Sequence, residues 1–358
     1  MINKISIIGL GLIGGSIAKS LKNTNPDFYI SAYDKSEVLE KALSDKTIDH
    51  KLESPEQSLQ SDLIFLCLPV DESLKTFEDL IPKLREDQII TDVCGVKSIF
   101  QDLWNRSDSK GIYIGGHPMT GKESSGYKNS DPTLFENSVY ILTDSESKNQ
   151  KINPLIEIIS KLGARVTFLN PKVHDIVIAS VSHLPQLIAV SLINSASLKE
   201  NDINFFDFAA GGFRDMTRIA SSDFEIWNPV LHHNSKNIIY AMDNFINDLQ
   251  NMKKLITSGK SDSVLEYFES ARIKRDEIPR NSKGFITSLF DLFVYVKDEP
   301  GILAKLTSIL YTNEINIKDI ELLKVREGSG GTFRISFESL EVSEKAKKIL
   351  ADSGYKVN

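Results

Sequence analysis

The stretch that most limits what this chain can become is its first sixteen residues. Ile5, Ile7 and Ile8 make a short apolar run, and Gly9, Gly11 and Gly14 follow in G-x-G-x-x-G spacing before the helix-like run from Ile17 to Leu21. Phosphate oxygens need bare backbone N–H groups, and glycine lets a diphosphate come close to a turn and a helix N-terminus. The spacing alone is a weak signal. Its context is stronger, because a strand precedes it, a helix follows, and Asp34 ends a second strand-like run, Phe28 to Tyr33, twenty residues after Gly14. An acid at that place accepts ribose hydroxyls. Gly9, Gly11, Leu12, Ile13, Gly14 and Asp34 are therefore candidate cofactor contacts of a dinucleotide-binding βαβ unit.

After Asp34, strands and helices alternate, the pattern of a parallel sheet covered on both faces. Asp62 to Leu68 and Gln88 to Val93 are continuous apolar runs suited to doubly buried strands. In such a sheet the ligand lies beyond the carboxyl ends of the strands, which adds Leu68, Pro69, Val70, Asp92 and Gly95 to the cofactor candidates. Further strands are expected at Tyr113 to Gly115, Val139 to Thr143 and Arg165 to Leu169, completing an α/β Rossmann domain over 1–170. From 171 to 280 the periodicity is helical, with no convincing strand. Val173 to Ile193 is apolar nearly all round, predicting a helix buried against a second subunit as well as its own and kinked at Pro185. Ser222 and Glu225 form a capping box for a second helix running to about Gly259. This much apolar helical surface implies an all-α domain that makes a homodimer. Beyond a polar linker at Ile278 to Gly284, residues 288–358 follow a βαββαβ order: strand Phe290 to Val296, a helix through Ile302 to Leu310, strand Ile315 to Val325, a hairpin turn at Gly328 to Gly331, an alternating strand through Phe337, and helix Ser343 to Asp352. That order predicts an α+β ferredoxin-like unit.

At 358 residues the chain has room for two or three such domains. A net charge of -7 offers no basic surface for nucleic acid. Cys67 and Cys94 make no disulfide framework and read as small core residues, so the expected setting is reducing and cytoplasmic. Ile5 to Ala18 lacks a small-residue cleavage pattern, and no uninterrupted apolar run reaches membrane length, so neither a signal peptide nor a membrane partner is expected.

Three stretches carry chemistry. Gly115 to Gly126 (GGHPMTGKESSG) follows a strand at the expected carboxyl edge, so His117 is placed to take a proton near neutral pH. Taken alone, it reads more readily as a loop-capping histidine. Ser182, His183 and Gln186 put polar groups into an apolar helix, where unpaired each would cost on the order of 1–3 kcal/mol, so they need partners or a ligand. His183 taken alone reads as a satisfied core histidine. His174, nine residues earlier, should face the other way on an α-helix, which argues against a shared metal. With no Cys/His cluster elsewhere, no metal is expected. Gly211 to Arg218 (GGFRDMTR) offers Arg218 for bidentate carboxylate capture, with Asp215 three residues before it, an arrangement a surface ion pair would share.

Collected, these motifs resemble the prephenate dehydrogenases of tyrosine biosynthesis that carry a C-terminal ACT domain. The resemblance rests on G-L-G-L-I-G-G-S at Gly9 to Ser16, D-V-x-x-V-K at Asp92 to Lys97, H-P-M-x-G-x-E-x-S-G at His117 to Gly126, S-H-L-P at Ser182 to Pro185 and F-x-D-x-T-R-I-A-x-S-D at Phe213 to Asp223. It implies NAD as hydride acceptor, oxidative decarboxylation of prephenate to 4-hydroxyphenylpyruvate, and His117 as the base for the C4 hydroxyl. It implies Arg218 on a substrate carboxylate, Ser182 and His183 on the substrate, Glu123 and Asp215 in an ionic gating network, and Trp227 reaching in from the partner subunit. Asp34, with no arginine beside it, points to NAD over NADP, although Lys35 stands next to it.

The chain departs from the family pattern at Gly95, often serine, and at Gln186, often histidine. In the ACT region Asp298, Gly301, Asn316 and Ile317 match positions that meet an amino-acid ligand, which implies feedback inhibition by L-tyrosine; an ACT pair that only dimerises is the other reading. Arogenate dehydrogenase is the nearest rival activity. A catalytically dead NAD and amino-acid sensor is the rival from another class, suggested by Gly95 and Gln186.

Overall fold

Short runs of branched aliphatic residues build the centre of the N-terminal half. In this computed structural model, Lys4–Ile8 (β1), Tyr29–Tyr33 (β2), His50–Lys51 (β3), Leu63–Leu66 (β4), Ile89–Asp92 (β5) and Ile112–Tyr113 (β6) form one parallel sheet in the order β3-β2-β1-β4-β5-β6. The structure describes residues 2–122, 124–143, 150–196, 199–200, 203–277, 289–326 and 330–358. Alternate residues of each strand feed opposite faces. Ile5, Ile7, Leu63 and Phe65 pack with Ile17 and Leu21 of Leu12–Thr24 (α1) and with Leu39 of Ser36–Ser44 (α2). Ile8, Ile64 and Leu66 pack with Phe77 of Val70–Leu80 (α3) and Phe100 of Ser98–Arg106 (α4). Strand order reverses between β1 and β4, so the loops after these two strands frame the crevice where a doubly wound sheet takes its ligand.

The last strands of this half depart from the expectation of one sheet. Gly116–Pro118 (β7), Val139–Thr143 (β8) and Arg165–Leu169 (β9), with Asn153–Lys161 (α5) between the last two, make a separate sheet in which β7 runs antiparallel to β8. Glycine makes this possible. A side chain at Gly116 would come within 2.6 Å of the Asp92 carbonyl oxygen, so only a bare backbone can cross the end of β5 there.

Pro171–Ile178 (α6) and Leu184–Ala196 (α7) are joined by a π turn, Ala179–His183. Pro185 supplies the reason. It lacks the N–H that an α turn would aim at the carbonyl of Val181, and its ring would crowd that carbonyl. By length and mean hydropathy (1.9) Pro171–Ala196 could cross a membrane, contrary to the expectation from uninterrupted apolar runs. Its buried face, however, carries His174, Asp175, His183 and Gln186, all hydrogen-bonded within the protein. Lys199–Glu200 (β10) and Ile203–Asn204 (β11) form a short antiparallel ribbon where no strand was expected. Gly211–Thr217 (α8) follows. The helix expected from Ser222 to Gly259 is two, Phe224–His233 (α9) and Ser235–Thr257 (α10). The N-cap is Asp223, whose carboxylate accepts from the Glu225 amide at 3.0 Å, while Ser222 turns back to the Ile219 carbonyl. The break falls at Asn234, a buried side chain drawn inward by Asp175 and His183.

The chain divides into two compact units, Met1–Lys260 and Ser261–Asn358. The second holds Ser261–Glu277 (α11), Phe290–Val296 (β12), Ile302–Thr312 (α12), Asp319–Arg326 (β13), Gly330–Phe337 (β14), Leu340–Asp352 (α13) and Lys356–Val357 (β15). Its antiparallel sheet has the order β13-β14-β12-β15, and Leu292, Val294, Leu306, Leu310, Ile335, Phe337 and Leu350 make its core. The second strand of this unit begins at Asp319 instead of Ile315, because the Ile315 amide closes α12 onto the Leu310 carbonyl and its side chain is buried. The last helix begins at Leu340, capped by Ser339, rather than at Ser343. The linker Ile278 to Gly284 and the turn residues Gly328 and Ser329 lie outside the described residues.

Candidate active site

Each glycine of the opening loop has its own task. Gly9 has φ +98°, and a Cβ there would meet the Cys67 carbonyl at 2.6 Å; a Cβ on Gly14 would come within 1.9 Å of the Gly9 carbonyl. These two allow the tight turn and the close seating of α1. Gly11 has no atom within 4 Å of its Cβ position, which leaves that face of the loop open for a phosphate to approach. Leu12 and Ile13, half-buried, form the first turn of α1. Asp34 sits beside the loop, its Oδ2 accepting from the Leu10 amide and its Oδ1 from the Lys35 amide, both at 2.6 Å. The loop, the open glycine and the fixed carboxylate fit a dinucleotide.

Two expected cofactor contacts face elsewhere. Val70 heads α3, but its side chain is buried in the core, leaving only backbone for a ligand; Leu68 and Pro69 before it are half-buried and exposed. Asp92 is fully buried. Its carboxylate is ion-paired with Lys97, accepts the Tyr113 hydroxyl at 2.9 Å and accepts the Cys94 amide at 2.9 Å. It therefore shapes the loop after β5 from beneath instead of touching a cofactor. Burial pushes the Cys94 thiol up to about 12, so this cysteine is no nucleophile.

That loop brings Gly95 under two histidines. The Cβ position of Gly95 lies 3.9 Å from Cε1 and Nε2 of His117 and 3.9 Å from Nε2 of His183. His117 stands on β7, half-buried, opposite Ile141 of β8. Its Nδ1 is 2.9 Å from Nε2 of His174, whose own Nδ1 is 2.8 Å from Oδ1 of Asp175. Burial, and then the nearby charges of His174, Lys97 and His183, hold the His117 imidazole well below its ordinary value of 6.5, so it is neutral at pH 7. Burial likewise lowers His174, and brings His183 to about 4.

His183 is buried, with Asn234 Nδ2 at 3.3 Å from its Nδ1 and the Trp227 ring edge-on at 5.8 Å and 89°. Trp227 packs against its own chain's His183 and the core around Val230. Ser182 is half-buried on the same turn. Gln186 is buried and donates to the Ile219 carbonyl at 3.0 Å, which ties α7 to the turn Arg218–Ser221. Arg218 opens that turn, and both it and Asp215 on α8 are exposed. Glu123 lies outside the described residues. His174 is the residue the sequence placed wrongly. Nine positions of α-helix would set it opposite His183, but the π turn takes more residues per revolution and brings both toward His117. Among the described residues no group of three His, Cys, Asp or Glu side chains is arranged to hold a metal ion.

Comparison with known proteins agrees with this geometry. Residues 17–168 match the model of the prephenate dehydrogenase nucleotide-binding domain, 170–270 the prephenate dehydrogenase dimerization domain and 290–353 the ACT domain. Prephenate dehydrogenase of Bacillus subtilis is 33% identical over 356 residues, 98% of this chain and 96% of that protein. The chain belongs to the prephenate dehydrogenase family. The Lactococcus lactis prephenate dehydrogenase is 35% identical over 353 residues, 97% of each chain. Among solved structures, Aquifex aeolicus prephenate dehydrogenase in complex with hydroxyphenyl propionate and NAD+ superposes with a TM-score of 0.72 at 31% identity, covering 78% of this chain and 99% of that one. The family's nucleotide-binding domain serves a nicotinamide dinucleotide, in keeping with the open Gly11 face. Val173 and Ile176 of α6 and Val181 of the π turn, all exposed, fit the role of its dimerization domain.

Proposed function

We propose that the chain is an NAD-dependent prephenate dehydrogenase that forms 4-hydroxyphenylpyruvate and is inhibited by L-tyrosine through its ACT domain. The observation that carries this reading is a neutral His117 whose Nε2 shares the space beside Gly95 with His183, on the loop that leaves β5 at the cofactor end of the sheet. The glycine loop and Asp34 would hold a nicotinamide dinucleotide, which when bound would supply the hydride acceptor for C4 of the substrate ring. His117 takes the C4 hydroxyl proton at Nε2. As C4 becomes a carbonyl, the bond from the ring to its carboxylate breaks, CO2 leaves, and the electron pair passes through the now aromatic ring to the C4 oxygen, a phenolate that takes a proton from water to give the product's phenol. Aromatisation drives the step, so the protein's task is orientation and one proton transfer. Arg218 holds a substrate carboxylate, with Asp215 and Glu123 ordering that arginine, and Ser182 and His183 line the ring. Gln186 is spent on the Ile219 carbonyl and acts by fixing the turn that starts at Arg218.

Asp34 sets the cofactor preference. Two amides hold its carboxylate in place, where it accepts ribose hydroxyls and repels a 2′-phosphate. Steady-state rates with NAD and NADP, each with prephenate and arogenate, test both preferences; a higher kcat/KM with NADP or with arogenate refutes the corresponding assignment. His117→Asn should lower kcat by about 10²–10⁴-fold with NAD affinity retained, and an unimpaired variant overturns the proposal. For the effector, Gly301 caps α12 at φ +80° beside Asp298, and Asn316 is exposed next to half-buried Ile317. A chain ended at Gly284 should stay active and lose tyrosine inhibition; retained inhibition places the effector elsewhere.

A further inference from the structure

Resting on His117 as the base, we propose that His174 and Asp175 are positioning residues that fix its tautomer, presenting the Nε2 lone pair to the substrate and sharing the charge it gains. Donors and acceptors along the chain of contacts fix where each proton sits. An ionised carboxylate can only accept, so the 2.8 Å contact between Asp175 Oδ1 and His174 Nδ1 puts the His174 proton on Nδ1. A neutral His174 then has an acceptor at Nε2, and the 2.9 Å contact makes His117 Nδ1 the donor. With its one proton there, neutral His117 carries a lone pair on Nε2, the atom beside Gly95.

Asp175 is itself anchored. Its Oδ1 accepts the Lys97 amide at 2.8 Å and its Oδ2 accepts the Ser98 amide at 2.9 Å, both from the loop that carries Gly95. Burial alone would raise this carboxyl, but the hydrogen bonds from His174, Ser98 and Lys97 outweigh it and hold the group below its usual range, so it stays ionised. Its carbonyl accepts from Asn234, which also reaches His183. One aspartate therefore sets the orientation of both histidines of the site.

The relay has no exit. His174 is 0% and Asp175 3% exposed, so a proton taken by His117 cannot pass through them to bulk water. Their effect is to orient the imidazole and stabilise the imidazolium, and the proton departs from the open face once product leaves. The other groups facing His117 are Lys97 and His183, neither of which is hydrogen-bonded to its Nδ1.

Four full-length variants test this: His174→Leu, His174→Gln, Asp175→Asn and His117→Asn. His174→Leu removes the acceptor, and His174→Gln can return one through its side-chain oxygen. We expect His174→Leu to lower kcat by about 10²-fold or more with KM and the NAD dissociation constant within threefold, His174→Gln to recover at least tenfold of that loss, and Asp175→Asn to fall between them. In ¹⁵N spectra, His117 of the wild type should show the proton on Nδ1, and in His174→Leu a substantial Nε2–H population. Full activity in His174→Leu, an unchanged His117 tautomer in that variant, or losses in both His174 variants that merely parallel a fall in thermal stability would each overturn the proposal. Activity in His117→Asn would instead remove the base assignment on which it rests, so the two failures are told apart.

Discussion

Lowering the pH should destabilise the first unit through its buried histidines, and His183 allows the size to be worked out. Burial takes its pKa from 6.5 to about 4 in the folded chain. Between these values the unfolded chain binds a proton that the folded chain refuses. Stability is therefore fully present above pH 6.5 and is lost as pH falls toward 4. For one site with these values the loss between pH 7 and pH 5 is about 2 kcal/mol, approaching about 3 kcal/mol below pH 4. The two tryptophans report on the right unit, since Trp104 and Trp227 both pack against the core cluster around Phe77 and Phe100. Urea unfolding followed by their fluorescence at pH 7 and pH 5 should show the wild type losing about 2 kcal/mol more than His183→Gln, a difference of roughly 1 M in midpoint. His117 and His174 shift in the same direction and are present in both proteins, so the burial that dominates their shifts cancels in the comparison. Equal losses in the two proteins would refute the claim that His183 is neutral because it is buried.

Three further outcomes follow from the loops. Asp92→Asn leaves Lys97, 1% exposed, without its counter-charge, and should cost about 3–5 kcal/mol, read as a large drop in thermal midpoint even with NAD absent. Gly95→Ser should be tolerated, with a midpoint within about 2 °C, because its Cβ meets only ordinary contacts at 3.9 Å. Gly14→Ala, by contrast, drives a methyl against the Gly9 carbonyl and should abolish dinucleotide binding in a titration of the cofactor.

Local physics made much of this legible. Glycine spacing, strands apolar on both faces and an acid after β2 are short-range features, and they located the cofactor crevice. The βαββαβ order of the second unit could be read for the same reason. What escaped depended on contacts far apart in sequence. Asp92 carries the same letter whether it faces a cofactor or a buried lysine, and only the Lys97 pairing decides. The separate sheet of β7, β8 and β9 depends on Gly116 crossing beneath Asp92. The α9–α10 break depends on Asn234 being drawn to Asp175 and His183, which precede it by 59 and 51 residues. His174 was misplaced because a count of nine residues assumes one kind of helix throughout.

That count has a consequence for how the segment can change. The π turn Ala179–His183 works as a gear offset inside an otherwise continuous helix. Removing one residue from it would restore a uniform α-helix and rotate everything beyond by about 100°, carrying Gln186 away from Ile219 while His174 stayed against His117. The number of residues between His174 and His183 is then as much a part of the site as the histidines themselves. Ser180, exposed on that turn, is free to vary in ways the turn's length is not.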